Sequence, residues 1–421
     1  MRILLLSLNF APELTGIGKY SGEMAERLVA RGHEVTVVCA PPYYPQWKVH
    51  KDYSATGYQV ERPKPGLTVH RCPVWVPGRA SGAKRLLHLA SFALSCLPVM
   101  LWLVLWRPAV VFVVAPALFC TPVGWLTARL SGAKAWLHIQ DLEVDAAFEL
   151  GLMTGKMPRR VLLAIERWAM RRFDKVSTIS RRMLRKLAAK GVQLEKAEMF
   201  PNWVDVELIR PVDASPEMRA SLNIGPEQIV CLFSGTMNRK QGLPVLIETA
   251  RQLRDRSDVV IVICGNGELR PPLEEQAAGL DNVRFMDLQP AAQLNALLNM
   301  ADIHLLPQLR GAAELVMPSK LTGMLASGRP VVAAADPGTE IASIVSGRGL
   351  IIEPESVDAF AAAITQLAAD PALRRDYGAA ARSYAERVLD CDGVMNSLDL
   401  KLQQVCDPMS LPLATGPQRS L

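Results

Sequence analysis

At 421 residues the chain exceeds what one hydrophobic core comfortably holds, so two domains of roughly 200 residues each are expected. Half of its residues are apolar, 21% are charged and the mean hydropathy is +0.14, which excludes a disordered chain and fits an α/β protein with some greasy surface. The net charge of +6 is concentrated: twelve Lys/Arg between Lys156 and Lys190 stand against Glu166 and Asp174 alone, with only Trp168 and Phe173 as aromatics, a pattern that argues against nucleic acid as a partner. Two readings remain for this stretch, a solvated basic helix face and attraction to anionic lipid or a diphosphate-linked acceptor.

The eight cysteines form no C-x-x-C pair and sit mostly in apolar runs, as small buried hydrophobes of a reducing cytosol do. The opening strand pattern, Arg2-Ile-Leu-Leu-Leu-Ser7, is too short for a signal h-region and has no small-residue cleavage site, so no export is expected. It runs into Asn9-Phe-Ala-Pro-Glu-Leu-Thr-Gly16-Ile-Gly18-Lys-Tyr, with a helical pattern from about Tyr20. Gly16 and Gly18 before a helix N-terminus form either a phosphate- or sugar-binding loop or a plain structural turn. A dinucleotide fingerprint, and with it a nicotinamide dehydrogenase, fails because Ser21 stands where a third glycine belongs and no acid follows the second strand at 35–39.

Residues 86–106 contain no Asp, Glu, Lys or Arg and are long enough to span a bilayer. Pro98 and His88 interrupt the run, basic residues flank both ends, and strand patterns on either side belong to one sheet, so a helix buried or lying in the membrane interface is expected rather than a span. Further strands at 110–114, 135–139 and 176–179 complete a parallel doubly wound sheet. Beyond 135–139 comes Trp136-Leu-His138-Ile-Gln140-Asp141-Leu-Glu143-Val-Asp145, three acids past a strand end. Asp141 there orients an acceptor hydroxyl, caps the next helix or binds a metal; His138 reads as a satisfied core histidine.

Pro201, Pro211, Pro216 and Pro226 punctuate an aperiodic segment where the domains should divide, and the strand pattern restarts at 229–234, 259–264, 283–286, 303–306, 331–334 and 350–352. After the first of these stands Gly235-Thr-Met-Asn-Arg239-Lys240-Gln-Gly242, with a helix over 244–254: two cations at a helix start suit a diphosphate, and the Walker A spacing is absent. Gly265 and Gly267 make a second glycine corner. Glu314 precedes Pro318-Ser319-Lys320-Leu321, where the amides of Ser319, Lys320 and Leu321 are placed to cap phosphate and Glu314 to accept from sugar hydroxyls. Residues 357–388 are helical in pattern, Asp390-Cys-Asp392 reads as helix punctuation, and the tail after Cys406 looks frayed.

Taken together these motifs resemble the family 4 retaining glycosyltransferases with the GT-B fold, and within them the fucosyltransferases of colanic-acid-type exopolysaccharide clusters. The likeness covers nearly the whole chain and rests on the opening run from Leu8 to Tyr20, on Gln140 to Gly151, Lys240-Gln-Gly242, Pro318-Ser-Lys320-Leu-Thr, Leu325-Ala-Ser-Gly-Arg329 and the junction Phe200-Pro-Asn202-Trp-Val-Asp205. It implies two Rossmann-like parallel-sheet domains facing across a cleft: residues 1–205 for the acceptor, 206–390 for the nucleotide sugar, and 391–421 a helix and tail packing back on the first domain. It further implies fucose delivered from GDP-fucose to a lipid-linked oligosaccharide, work at the cytoplasmic face of the inner membrane, no cofactor and no obligatory metal. Arg239 and Lys240 would stabilise the leaving diphosphate, and Asp141 would orient the acceptor hydroxyl. Four positions depart from the family pattern. Thr236 replaces a common arginine, Gln140 a common histidine, and Leu315 and Gly323 stand where a Glu-x7-Glu pair is usual. The rival readings are a sugar-nucleotide epimerase of the same shape and a non-catalytic membrane scaffold.

Overall fold

The computed structural model describes residues 1–13, 16–78, 82–115, 119–142, 156–310 and 318–407. It divides into two compact units. The first holds Met1–Ile179, Met183–Phe200 and the chain from Met395, and the second holds Ser180–Arg182 and Pro201–Val394.

The first unit is built on β1 (Arg2–Ser7), β2 (Glu34–Cys39), β3 (Gln59–Lys64), β4 (Leu67–Arg71), β5 (Val110–Ala115), β6 (Lys134–Ile139), β7 (Lys175–Thr178) and β8 (Ala197–Met199). They lie in the order β3-β4-β2-β1-β5-β6-β7-β8, parallel except where β3 runs antiparallel to β4. In β1 and β5 nearly every residue is buried, because helices cover both faces of a parallel sheet; that is why these strands read as unbroken apolar runs. Strands β3, β4 and β8 escape the sequence reading for the converse reason. β3 is a polar edge strand with Pro63 and a register shift between Glu61 and Lys64, β4 alternates buried with half-buried positions, and β8 has three residues.

The second unit carries β9 (Ile229–Ser234), β10 (Val259–Cys264), β11 (Val283–Met286), β12 (Ile303–Leu306), β13 (Val331–Ala334) and β14 (Gly349–Ile352), in the order β11-β10-β9-β12-β13-β14. All pairings are parallel. This is the doubly wound nucleotide-fold order, and its chain reversal lies between β9 and β12, where such sheets leave a crevice at the carboxyl ends of the strands. The core is layered by alternation: Cys231, Phe233, Ile261 and Ile263 face one side with Leu246 and Phe360, while Val230, Leu232, Val260 and Val262 face the other with Leu297 and Met300. The helical stretch expected over 357–388 is two helices, Val357–Ala369 and Pro371–Tyr384. It breaks at Asp370, whose side chain accepts from the Leu373 amide as a cap, with Pro371 in the first helical turn. Asp390 likewise accepts from the Gly393 amide at 2.8 Å at the start of the helix Cys391–Cys406, so the D-x-D string is a cap.

The apolar run forms the helix Gly82–Trp102 with a short 3-10 extension to Trp106. Leu89, Phe92, Cys96, Met100 and Leu103 are its buried stripe. Its polar groups turn inward to a neighbouring loop: His88 Nδ1 lies 2.7 Å from the Trp75 carbonyl, Ser91 Oγ accepts from the Trp75 amide and Ser95 Oγ donates to the Pro73 carbonyl. The strands before and after it, β4 and β5, belong to the same sheet. Its opposite face is bare: Leu94 is 72% exposed and Leu105 80%, alongside Leu87, Leu101 and Trp102. Seven of the eight cysteines are buried free thiols, Cys406 being partly exposed.

Candidate active site

In the second unit two glycine corners follow adjacent strands and lock together. Gly235 after β9 donates its amide to the Cys264 carbonyl at 3.0 Å, and Gly265 after β10 donates to the Met286 carbonyl at 2.9 Å. A Cβ on Gly265 would sit 2.0 Å from the Gly235 carbonyl oxygen, and one on Gly267 would sit 2.3 Å from the Met237 carbonyl oxygen. Both residues have φ in the left-handed half of the map, +141° and +154°. The amides of Gly235 and Gly265 are therefore engaged within the fold, and these glycines let one backbone approach the other. Arg270 bolts the second corner, donating to the Gly265 carbonyl at 3.1 Å and to Asn266 Oδ1 at 2.6 Å. Across the chain reversal, Gly242 abuts the end of β12: its missing Cβ would fall 2.3 Å from the Pro307 carbonyl oxygen.

Lys320 enters this corner from the start of the helix Lys320–Ala326. Its Nζ donates to Gln241 Oε1 at 2.6 Å and stands 4.1 Å from the centroid of the Phe233 ring; a side chain at Gly235 would come within 3.0 Å of it. Burial lowers its pKa to about 7, so the corner holds a cation close to losing its proton. Sequence reasoning valued Lys320 for its amide; the structure seats its ammonium in this corner against Gln241, which sequence reasoning passed over. Ser319 is exposed, and the Leu321 amide donates to the Pro318 carbonyl at 3.0 Å, so Leu321 serves the turn and the core rather than a phosphate. Arg239 is 86% exposed along its side chain, with Glu268 Oε1 at 3.9 Å, a pair too solvated to hold it in place. Lys240 contributes backbone to the short 3-10 turn Arg239–Gln241; its side chain, and the whole of Glu314, lie outside the described residues.

In the first unit the loop after β1 is organised by Glu13. Its Oε1 accepts from the Tyr43 and Tyr44 amides at 3.0 and 2.9 Å, and its Oε2 from Asn9 Nδ2 at 2.9 Å. Gly18 makes room for it, since a Cβ there would lie 2.6 Å from Glu13 Cβ and 2.7 Å from Oε2; Gly16, at φ +57°, has open space around it. Burial raises the Glu13 carboxyl pKa against the lowering pull of these hydrogen bonds and of Arg71. The Tyr44 phenol is raised by burial, then by the charges of Asp141 and Glu13, which places Asp141, just past β6, with Tyr44 and Glu13 at the carboxyl edge of this sheet. His138 is buried, with Nδ1 2.9 Å from Ser177 Oγ and Nε2 3.1 Å from Gln140 Nε2; burial pulls its pKa down to about 3, so it is a neutral core histidine as expected. Glu143 and Asp145 lie outside the described residues.

A Glu13→Ala variant is expected to lose about 2 kcal/mol of stability by leaving two amides without an acceptor, read as a lowered denaturant midpoint. Glu13→Gln keeps a carbonyl acceptor and separates charge from geometry. Because the folded pKa of Glu13 is raised, its proton stabilises the fold below the unfolded value of 4.5, and that contribution is lost as pH rises through the folded value. The glutamine variant should therefore gain on wild type between acid and neutral pH; a parallel pH course would contradict the burial argument.

Residues 15–203 match the family model described as a glycosyl transferase 4-like domain, and residues 214–384 match that of glycosyl transferases group 1. Over 94% of this chain and 98% of the relative, the sequence is 44% identical to WcaI of Escherichia coli (strain K12), named for a glycosyl transferase of colanic acid biosynthesis. The chain belongs to the family 4 glycosyltransferases. A second relative, 28% identical over 91% of this chain and 93% of its own length, is named as the GDP-mannose-dependent alpha-(1-6)-phosphatidylinositol monomannoside mannosyltransferase of Mycolicibacterium smegmatis. Among solved structures, sucrose-phosphate synthase from Thermosynechococcus elongatus superposes with a TM-score of 0.74 at 18% identity, covering 96% of this chain and 98% of that one, and so shares the GT-B fold. As a family 4 glycosyltransferase the protein is an enzyme that transfers sugar, which sets aside the epimerase, scaffold and dehydrogenase readings. In such an enzyme the corner around Lys320 is suited to the charge that builds on a leaving diphosphate, and the edge around Asp141 and Glu13 to sugar hydroxyls.

Proposed function

We propose that this glycosyltransferase moves fucose from GDP-fucose, with retention of anomeric configuration and without an obligatory metal, onto a lipid-linked intermediate of a colanic-acid-like exopolysaccharide at the cytoplasmic face of the inner membrane. The observation that carries this reading is the end-to-end 44% identity to a protein named for colanic acid biosynthesis. The name of the mycolicibacterial relative supports guanine as the base. The bare apolar face of the helix Gly82–Trp102 supports a membrane-borne acceptor, since a one-sided apolar helix on a folded domain lies in an interface.

In this reading the sugar departs with oxocarbenium character while negative charge builds on the diphosphate. Lys320, Lys240 and Arg239 stabilise that charge, and Asp141 orients the incoming hydroxyl. The test is a donor panel of GDP-fucose, GDP-mannose, UDP-glucose and UDP-galactose with a polyprenyl-diphosphate oligosaccharide acceptor, with the product anomer read by NMR. Transfer from GDP-fucose alone, with the donor's configuration kept and the rate unchanged in EDTA, is the expected outcome. Preferential turnover of a UDP-sugar, or collapse of the rate in EDTA, would overturn the donor or the metal part.

A further inference from the structure

The helices Cys120–Ser131 and Lys156–Arg172 of the first unit enclose an open groove of about 760 Å³. Trp125 and Arg129, one turn apart, form one wall. Ala164, Arg167, Trp168, Arg171 and Arg172, spaced i, i+3, i+4, i+7 and i+8, form the other. The two tryptophan rings meet edge to face at 6.1 Å, and the Arg172 guanidinium lies 5.2 and 4.7 Å from their centroids.

Four guanidiniums face one groove, and among the described residues none of Arg129, Arg167, Arg171 and Arg172 has a carboxylate partner. The acid on the same helix, Glu166, is buried and paired with Lys190. Arg171 lies against Gly191, where a Cβ would come 2.4 Å from its Nη2, so the backbone is shaped to seat it. Charge of one sign left uncompensated around a concave site focuses an anion there. Next in sequence to these lining positions, Leu126, Leu130 and Ile165 are exposed apolar side chains, and Trp168 is 45% exposed. Tryptophan beside arginine, with aliphatic side chains outside them, is the composition of a surface that meets headgroups with its polar part and acyl chains with its rim.

We propose that this groove binds the phosphate of an anionic membrane phospholipid and fixes the first unit on the bilayer. This rests on the membrane-surface reading above and goes beyond it by naming a site. Sedimentation of the full chain with vesicles of phosphatidylcholine alone, or with phosphatidylglycerol added, tests it. Wild type should partition onto the anionic vesicles. Arg167→Gln/Arg171→Gln should weaken that partitioning roughly 30-fold, at about fivefold per guanidinium, and Arg129→Gln/Arg167→Gln, which leaves the Gly191 contact intact, should do the same at an unchanged melting temperature.

If both pairs bound anionic vesicles like wild type, the groove would be overturned while the membrane reading stood. If wild type bound neither vesicle, the membrane reading itself would fall. A melting shift with inorganic phosphate but no vesicle binding would reassign the groove to a soluble anion and overturn the lipid assignment.

Discussion

A Lys320→Met enzyme is expected to turn over its sugar donor on the order of a hundredfold more slowly than wild type, because a pre-aimed cation at a developing negative charge is worth about 3 kcal/mol in the transition state. Methionine keeps the length and packing beside Phe233 while removing the charge next to Gly235 and Gln241. The same substitution should raise the stability of the empty protein at low pH. Burial depresses the folded pKa of Lys320 to about 7, well below the value of an exposed lysine, so between the two the unfolded chain binds more protons and wild-type stability rises with pH. Below about 7 both states carry the charge and the full burial cost is present, and there the methionine variant should melt highest above wild type. In steady state, kcat/KM for the donor should fall as pH rises through about 7 in wild type, with that limb missing in the variant. Equal turnover would remove Lys320 from the site; equal melting at pH 6 would contradict its burial.

Gly265→Ala should be among the most damaging single-methyl changes in the chain. The added Cβ would lie 2.0 Å from the Gly235 carbonyl oxygen, a backbone atom held by the sheet, and the residue would be left at φ +141°. No side-chain rotation relieves that overlap, so the two corners must separate, at a cost expected to exceed about 4 kcal/mol, and donor affinity should be lost with them. Gly279→Ala is the control: φ there is +80° with nothing within 4 Å, so only the left-handed backbone is penalised, by about 1 kcal/mol. Thermal melts of the pair decide it. Similar midpoints would mean that the interlock of the two corners contributes little.

The strand positions of the second unit were open to sequence reading because its central strands are short apolar runs buried in a parallel sheet, and 229–234 and 259–264 coincide with β9 and β10. Periodicity also placed Gly235, Gly265 and Lys320 directly after strands or at a helix start, which is where ligands bind in such sheets. It did not reveal what those residues do. The engagement of the Gly235 and Gly265 amides in the fold is a matter of which backbone sits 2 to 3 Å away, and that is set by the neighbouring strand rather than by local sequence. Glu13 shows the same limit: it reads as one acid in a loop, yet its carboxylate ties Asn9 to Tyr43 and Tyr44, some 30 residues further on. Arg239 carried more weight than Lys320 in the sequence, where Lys320 counted for its amide, and only burial separates a solvated guanidinium from a sheltered ammonium.

Calorimetric titration of GDP and of guanosine into wild type and into Lys320→Met tests most directly whether the second unit's glycine corner grips the donor's diphosphate. GDP affinity should drop on the order of a hundredfold in the variant, since a charge-assisted contact in a sheltered site is lost, while guanosine, which carries no phosphate, should bind both proteins alike. Unchanged GDP affinity, or an equal loss for guanosine, would place the diphosphate elsewhere.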